Sequence, residues 1–265
     1  MATRDVMNWE TAICKVVSEG DEEEIIIRDH KLSELIGNVT FADMMFLMLQ
    51  GRLPSAPERR TLDALLVASV EHGIAPPSMV SRCYASYGTS IQAGIAAGVA
   101  AFGDRMGGLG EQLAKTLWTH VQHNGLGADT DDAALESLAA EIVAHARAAG
   151  ARVPGYGIPL HGADPRAPQV MAVAEREHTA GIFCRLGQHL ETALGKARGG
   201  KTVPMNLDGI SAVIALDLGF DWRSTRMFLI TPRSVSMGAH YLEESAQDTT
   251  WRHVRGEQIE YLGDA

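Results

Sequence analysis

Apolar residues recur at the spacing of an α-helix, about 3.6 residues, along almost the whole chain, and this pattern restricts the fold more than any other feature. The clearest case is the segment TDDAALESLAAEIVAHARAAG, residues 130–150. Thr130 is the expected N-cap, the aspartates after it suit the positive end of the helix dipole, and Gly150 can close the helix. The apolar stripe comprises Leu135, Leu138, Ala139, Ile142, Val143 and Ala146. The pattern predicts an all-α fold.

Seven other segments carry the same helical pattern. They run over Thr40 to Leu49, Pro57 to Glu71, Ser90 to Phe102, Leu109 to His123, Ala167 to Ala197, Gly209 to Leu218 and Thr231 to Glu244. Only EEEIIIRDHKLSELIG, near the N-terminus, indicates a strand, through three consecutive isoleucines. The segment SIQAGIAAGVAAFG is rich in glycine and alanine, which lets neighbouring backbones approach closely, so we expect a central, buried helix there.

Composition restricts the partners and the compartment. The 265 residues, 46% of them hydrophobic, suffice for one large domain or two small ones. A formal net charge of −10 argues against nucleic acid or an anionic membrane as the main partner, so we expect small molecules. Three widely spaced cysteines fit a reducing cytosol, and no apolar leader or membrane-spanning run occurs, which predicts a soluble cytoplasmic protein. Because no metal-ligand spacing such as HExxH occurs, no metal site is expected.

Asp208 and His72 are the first candidates for chemistry. Asp208 comes immediately before a strongly apolar segment, where burial would raise the pKa of a carboxylate toward the range that a carbon-acid base needs, whereas a helix dipole would lower it. The alternative is that Asp208 is simply the N-cap of the helix that begins there. His72 follows a predicted helix, and it either serves a site or caps that helix.

Arginines form a second set of candidates. Arg166 falls in the first turn of a predicted helix, where a cation opposes the helix dipole, so a binding role is indicated. Arg233 occurs in a similar Pro-Arg pair that we interpret as a helix start, and Arg252 and Arg255 lie in the C-terminal segment. Planar guanidinium groups can bind carboxylates through two hydrogen bonds, so this set suits a di- or tricarboxylate. Ordinary surface ion pairs are the alternative for each arginine.

Two loops could bind other parts of a ligand. The loop PGYGIPLHGADPRAP, residues 154–168, exposes His161 among glycines and prolines, and its glycine-rich backbone could meet a flat group such as adenine. The loop GKARGGKTVP carries Lys196, Arg198 and Lys201, which could bind phosphates. A solvated turn is the alternative for this second loop.

Taken in order, these segments resemble the citrate synthase superfamily. The shared motifs are EHG at Glu71 to Gly73, FGDRMGG at Phe102 to Gly108, VPGYG followed by DPRAP, MNLDG, PRSVSMGAHYLEE and the terminal RGEQIEYLG. They are spread over most of the chain, and their combination is more specific than any one of them. The short length and the GDRMGG and GAHYLEE motifs are most similar to those of the citryl-CoA lyase type, including the citryl-CoA lyase module of ATP-citrate lyase.

The resemblance implies an all-α homodimer, or a larger oligomer built from dimers, whose two domains close over coenzyme A and an oxo-acid. Residues 1–108 and 208–265 would form the large domain, and residues 109–207 a smaller, inserted CoA-binding domain. Asp208 would exchange a proton with the methyl group of an acyl-CoA as its enolate forms. CoA would be part of the substrate or product, so no prosthetic group is implied.

The resemblance also implies which residues bind the two halves of the substrate. The carboxylates and carbonyl of oxaloacetate or of a citryl group would be held by His72, Arg166, Arg233 and Arg255, the last reaching into the neighbouring subunit. The CoA adenine would lie against the backbone of Val153, Pro154, Gly155, Tyr156 and Gly157, and Lys201 could meet the CoA phosphates.

The sequence departs from the family pattern at three positions where a histidine is expected. Met106 stands in the GDRMGG motif, Ile158 follows GYG, and Val80 lies eight residues after His72. Neither methionine nor isoleucine can donate or accept the proton that such chemistry moves. A more apolar 3-hydroxyacyl-CoA would therefore suit Met106 and Ile158 better than citryl-CoA does.

The sequence thus predicts an acyl-CoA carbon–carbon lyase or synthase similar to citryl-CoA lyase. The alternative, motivated by the missing imidazoles, is a non-catalytic sensor of CoA or carboxylates on the same fold. Thioesterase activity after condensation is a third reading. Calorimetric titration with CoA and small carboxylates, run beside a turnover assay, separates the first two because a sensor binds without turnover.

The loop before DPR is shorter than in the family, so His161 could take the place of a missing imidazole as a catalytic group. We predict that His161→Ala lowers turnover or substrate affinity in steady-state kinetics, because no other histidine is near this position in the sequence. Full turnover with unchanged affinity would exclude this role.

Overall fold

Helices make up most of the structure, a computed structural model that describes residues 7–20, 22–157, 164–248 and 250–263. The helices are α1 (Leu32–Leu35), α2 (Phe41–Gln50), α3 (Ala56–Ser69), α4 (Pro76–Ser86), α5 (Ile91–Ala100), α6 (Leu109–His123), α7 (Asp132–Ala148), α8 (Arg166–Arg176), α9 (Ile182–Ala197), α10 (Leu207–Asp217) and α11 (Met227–Gln247). Strands β1 (Cys14–Glu19), β2 (Glu22–Ile27) and β3 (His30–Lys31) form an antiparallel sheet in that order. The prediction of an all-α fold is confirmed.

Helix α10 lies at the centre of the protein. Its sequence, LDGISAVIALD, is apolar on every side, and all of its residues except the aspartates Asp208 and Asp217 are buried. It packs against α3, α6, α8 and α9. A helix that is hydrophobic all round is a core element, so its two aspartates mark the places where the core meets polar groups.

Helix α5, which contains the glycine- and alanine-rich segment, is less buried than we predicted. Only Gly94 and Gly98 are buried, because α4 and α11 cover one side of the helix and leave the rest exposed in the single chain. The expected close approach is present. A Cβ on Gly94 would lie 2.5 Å from the Tyr241 ring, and one on Gly98 would lie 2.7 Å from the Met237 sulfur.

The predicted helix from Ala167 to Ala197 is two helices, α8 and α9. The break between them is held by Asp217 of α10, whose carboxylate accepts hydrogen bonds from the backbone N–H groups of Gly181, Phe183 and Cys184 at 2.8 to 3.0 Å. These N–H groups lie at the start of α9. Asp217, which belongs to a different helix, therefore accepts the hydrogen bonds that an N-cap side chain would otherwise accept. The apolar pattern continues across the break, and therefore did not reveal it.

Local signals explain two further differences. Asp131 rather than Thr130 caps α7, since its Oδ1 accepts a hydrogen bond from the N–H of Ala134 at 2.8 Å. Helix α4, which we did not predict, begins with two prolines, and these suit the first turn of a helix because an N–H there would have no partner within the helix.

Helix α11 and strand β1 also differ from the prediction. Helix α11 begins at Met227 rather than Thr231, so the Pro-Arg pair lies inside the helix and Arg233 is not in a first turn. Packing against α3, α4 and α5 stabilises this helix on both sides of the proline. The isoleucine-rich segment forms β2 as predicted, and it pairs with the unpredicted β1.

Two findings bear on the compartment. Within the described ranges, no helix has the length and apolar character needed to cross a bilayer. Cys14, Cys83 and Cys184 are free thiols. The cytoplasmic location stays a prediction.

We predict that Asp217→Ala lowers the free energy of unfolding by about 3 kcal/mol, because three largely buried N–H groups lose a charged acceptor. Asp131→Ala is the control. It removes one hydrogen bond at an exposed N-cap, with an expected loss of about 1 kcal/mol. Urea unfolding followed by circular dichroism gives both values, and equal losses would contradict the role of Asp217 at the break.

Candidate active site

The first turn of α10 positions Asp208. Asn206 is the N-cap of the helix, and its Oδ1 accepts a hydrogen bond from the N–H of Gly209 at 3.2 Å. The alternative that Asp208 is the N-cap is therefore wrong. Its half-buried carboxylate instead accepts a hydrogen bond from the N–H of Gly110, at the start of α6, at 3.2 Å.

Burial raises the pKa of Asp208 above its ordinary value. The hydrogen bond from Gly110 and the positive charge of Arg166 act in the opposite direction, and the negative charge of Asp164 adds to the rise. Burial is the largest of these effects, as the sequence suggested. A carboxyl group with a raised pKa can exchange a proton with a weak carbon acid more readily than an ordinary surface aspartate can.

Three glycines allow the loop VPGYG and helix α6 to approach this turn. A Cβ on Gly155, where φ is +82°, would lie 2.7 Å from the Cα of Gly209, and a Cβ on Gly110 would lie 2.9 Å from the carbonyl oxygen of Asp208. The backbone N–H of Asn206 donates to the carbonyl of Gly155 at 3.0 Å. The loop and the start of α10 therefore pack backbone against backbone. A side chain larger than that of glycine would not fit at these positions.

Tyr156 anchors the same loop. Its hydroxyl donates to the carbonyl of Gly187 on α9 at 3.0 Å, and burial raises the pKa of this phenol well above its ordinary value. The backbone of Gly157 is also held, since its N–H donates to the carbonyl of Pro204 at 2.7 Å. The C-terminal end of this short loop is thus fixed against the core.

Asp164 fixes Arg166 at the start of α8. Its buried carboxylate accepts hydrogen bonds from Arg166 Nε at 2.9 Å and Nη2 at 2.8 Å, and from the backbone N–H of Leu207 at 3.0 Å. Burial would raise the pKa of Asp164, but these hydrogen bonds and the charge of Arg166 hold it below its ordinary value. The carboxylate therefore ties Arg166 to the first turn of α10. Sequence reasoning missed Asp164, although its place in DPR was an available signal.

Arg233, on α11, is buried, with 5% of its surface exposed. Burial lowers the pKa of Arg233; Glu71 opposes this effect, and the nearby charge of Arg166 adds to it. The Nε of Arg233 and the Nη1 of Arg166 are both buried without a hydrogen-bond partner among the described residues. Because buried donors are nearly always paired, these two N–H groups are available to an acceptor that the described residues do not supply, and a carboxylate is an acceptor that suits a guanidinium.

Glu71 and His72 lie in the loop after α3. The helix ends at Ser69, so His72 lies beyond its last turn. The backbone N–H of His72 donates to Glu71 Oε1 at 2.7 Å, and Arg233 Nη1 lies 3.6 Å from the same oxygen. We did not predict Glu71 as a site residue, although its place in the EHG motif was an available signal.

The other predicted residues do not join this cluster in the single chain. Arg255 is exposed on the C-terminal segment, and Lys201 is exposed after α9. His161 and Ile158 lie outside the described residues. Met106 is half-buried in a tight turn, where its backbone exchanges hydrogen bonds with Gly103. Across the described residues, no three His, Cys, Asp or Glu side chains are grouped to hold a metal ion.

We predict that Gly155→Ala destabilises the protein by more than the roughly 1 to 2 kcal/mol that left-handed backbone alone costs, because its Cβ would displace the first turn of α10. Gly150→Ala is the matched control. Gly150 also has a positive φ, +64°, but no atom lies within 4 Å of its Cβ position. Chemical unfolding compares the two, and equal losses would show that the contact with Gly209 is not tight.

Comparisons with known proteins identify the family of this chain. The family described as citrate synthase, C-terminal domain, matches residues 55–254. The structure of citryl-CoA lyase from Hydrogenobacter thermophilus is similar, with a TM-score of 0.84 and 32% identity over 97% of this chain and 95% of that chain. No curated protein sequence matches.

Two more distant structures share the fold. ATP citrate lyase from Methanosaeta concilii, in complex with (3S)-citryl-CoA, has a TM-score of 0.79 and 15% identity, over 99% of this chain and 43% of that chain. Citrate synthase from Thermoplasma acidophilum has a TM-score of 0.66 and 20% identity, over 85% of this chain and 57% of that chain. The family match and the similarity to citryl-CoA lyase support a CoA-ester lyase or synthase activity, and they show that the chain belongs to the citrate synthase family.

Proposed function

We propose that the protein cleaves or forms the carbon–carbon bond of a 3-hydroxyacyl-CoA, and that citryl-CoA is the first substrate to test. The observation that best supports this proposal is the half-buried Asp208, with its raised pKa, together with Arg166 and Arg233, each of which has a buried nitrogen without a hydrogen-bond partner among the described residues. A proton-exchanging carboxyl group and an anion-binding pair are what a reaction between an acyl-CoA methyl group and an oxo-acid requires.

In the cleavage direction, the substrate hydroxyl releases its proton to solvent water, from which Asp208 is later reprotonated; the adjacent carbon–carbon bond breaks, and an oxo-acid and an acyl-CoA enolate form. Asp208 then gives its proton to the enolate carbon. Condensation is the reverse, with the Asp208 carboxylate removing a proton from the methyl group. Arg166 and Arg233 bind the carboxylates of the oxo-acid, and His72 stabilises the charge that develops on its carbonyl oxygen.

We place CoA on the loop VPGYG and the loop after α9. The relatives with solved structures support CoA as a substrate component, since the ATP citrate lyase holds (3S)-citryl-CoA and the citrate synthase holds carboxymethyl-CoA and oxaloacetate. In this chain the backbone of residues 153–157 would receive the adenine, and the exposed Lys201 would meet the phosphates. Residues 109–207 would form the CoA-binding domain, and residues 1–108 with 208–265 the large domain.

A homodimer would complete the site. Arg255 is exposed on a C-terminal segment whose described residues, 250–263, are all exposed in the single chain. Helix α11 also presents the exposed apolar side chains Val235 and Leu242. A second copy that covered such surfaces could receive Arg255 next to its own arginines, where it would bind a further carboxylate.

Met106 favours a second candidate function, that of a non-catalytic sensor of CoA or carboxylates. It occupies the place of an expected histidine, and a thioether cannot transfer a proton. A sensor would keep the arginines as an anion site and would not need Asp208. The two candidates therefore differ in what the loss of Asp208 does.

We predict that Asp208→Asn lowers the rate of citryl-CoA cleavage by about 100-fold or more, because the amide cannot transfer the proton. Oxaloacetate affinity should change little, since the arginines remain. Asp217→Asn, at the other end of α10, is the matched control. At a temperature where the Asp217→Asn variant is folded, its rate of citryl-CoA cleavage should match that of the wild-type protein. Product formation followed by chromatography and oxaloacetate binding by calorimetry give the two readouts.

The raised pKa of Asp208 also gives the expected pH dependence. Cleavage uses the protonated carboxyl group and should slow as the pH rises through this pKa, whereas condensation uses the carboxylate and should speed up over the same range.

A wild-type protein that binds CoA and oxaloacetate but turns over neither citryl-CoA nor a more apolar 3-hydroxyacyl-CoA would favour the sensor.

A further inference from the structure

The carboxylate of Glu71 is surrounded by hydrogen-bond donors. Oε1 accepts from the backbone N–H of His72 at 2.7 Å. Oε2 accepts from the hydroxyl of Ser236, and the Nε2 of His240 lies 3.2 Å from the same oxygen. Ser236 and His240 both project from α11, the helix that carries Arg233. These four residues form what we term the Glu71 cluster: Glu71, His72, Ser236 and His240.

The Glu71 carboxylate lies close to Arg233 without a hydrogen bond between them. Arg233 Nη1 lies 3.6 Å from Glu71 Oε1, beyond the usual length of a hydrogen bond. A carboxylate and a guanidinium this close would ordinarily form a bidentate pair. Because Glu71 is engaged by other donors, Arg233 keeps its Nε without a partner among the described residues.

Arg82 determines which nitrogen of His240 carries the proton. Arg82 Nη1 lies 3.1 Å from His240 Nδ1, and because a guanidinium can only donate, Nδ1 must be the acceptor. The proton of the neutral ring is then on Nε2, which faces Glu71. Arg82 is itself buried and held by Glu243, by Glu244 at 2.7 Å and by Gln247 at 3.1 Å. The orientation of His240 is therefore imposed from outside the Glu71 cluster.

We propose that His240 is a positioning residue that keeps Arg233 available to a substrate carboxylate by holding Glu71 away from it. The proposal rests on the proposed function in one respect, namely that the ligand of Arg233 is an oxo-acid. His240 does not touch the substrate. When the N–H of the His240 ring is removed, the Glu71 carboxylate is free to turn onto Arg233 and to compete with the substrate for the same guanidinium. Substrate binding then weakens more than turnover does.

Two substitutions of similar polarity test this role. An asparagine amide lies near the position of Nδ1, so His240→Asn can still accept from Arg82 but does not reach Glu71. A glutamine amide extends to the position of Nε2, so His240→Gln can still donate to Glu71. We predict that His240→Asn weakens oxaloacetate binding by about 10- to 100-fold in calorimetry and raises KM to match, with kcat changed much less. His240→Gln should restore binding.

A second pair of variants tests whether His240 acts through Glu71. Ser236→Ala removes another donor to the carboxylate and should also weaken oxaloacetate binding. Adding Glu71→Gln to His240→Asn should recover part of the affinity, since a neutral amide competes poorly for Arg233. If His240 had only a structural role, Glu71→Gln would give no recovery.

The outcomes separate this inference from the proposed function. If the wild-type protein binds neither oxaloacetate nor citrate, both are wrong. If it binds them and His240→Asn, confirmed as folded by its unfolding curve, has the same affinity and KM, only the role of His240 is wrong. Should His240→Asn fail to fold, Ser236→Ala gives the answer, and unchanged binding in that variant would contradict the proposal.

Discussion

The site depends on the contact between the backbone of Gly155 and the first turn of α10. Three segments that are distant in sequence, the loop VPGYG, the start of α6 and the start of α10, meet there without intervening side chains. Asp208 is half-buried beside this contact, and its carboxylate accepts a hydrogen bond from the N–H of Gly110. The same close approach places the N–H of Leu207 against Asp164, which in turn orients Arg166. Asp208, the proposed proton-exchanging group, and Arg166, a proposed anion-binding group, are thus positioned by the same backbone packing.

The charges around this contact are arranged at a cost in stability. Burial raises the pKa of Asp208 and lowers that of Arg233, so each charged form is disfavoured in the folded protein. Arg166 Nη1 and Arg233 Nε are left without hydrogen-bond partners among the described residues. A bound dianion would satisfy both groups and would offset the repulsion between the two arginines. The proposed function accounts for this arrangement, because a bound carboxylate would supply the missing acceptor.

Local patterns predicted the helices well where their ends carry local signals. Helix α6 begins and ends where the sequence indicated, and α7 differs only at its N-cap. The errors arise where distant residues act. The break between α8 and α9 depends on Asp217, which no periodicity in that segment reveals.

The site shows the same limit. Asp208, Arg166 and Arg233 were found from local pattern and family motifs, and the structure brings Arg166 close enough to the other two that its charge lowers the pKa of each. Asp164, Glu71 and His240 were missed: the DPR and EHG motifs drew attention to their arginine and histidine, and the contacts of Asp164 with Leu207 and of Glu71 with Ser236 and His240 arise only when separate elements pack together. Ser236 and Glu71, for example, are 165 residues apart in the chain. A single sequence does not report such contacts.

The central claim is that Asp208 exchanges a proton with the methyl group of an acyl-CoA. The most direct measurement is deuterium incorporation into the methyl group of acetyl-CoA in D₂O, followed by NMR in the presence of oxaloacetate. We predict that the wild-type protein incorporates deuterium and that Asp208→Asn does not. Incorporation by Asp208→Asn at the wild-type rate would contradict the account.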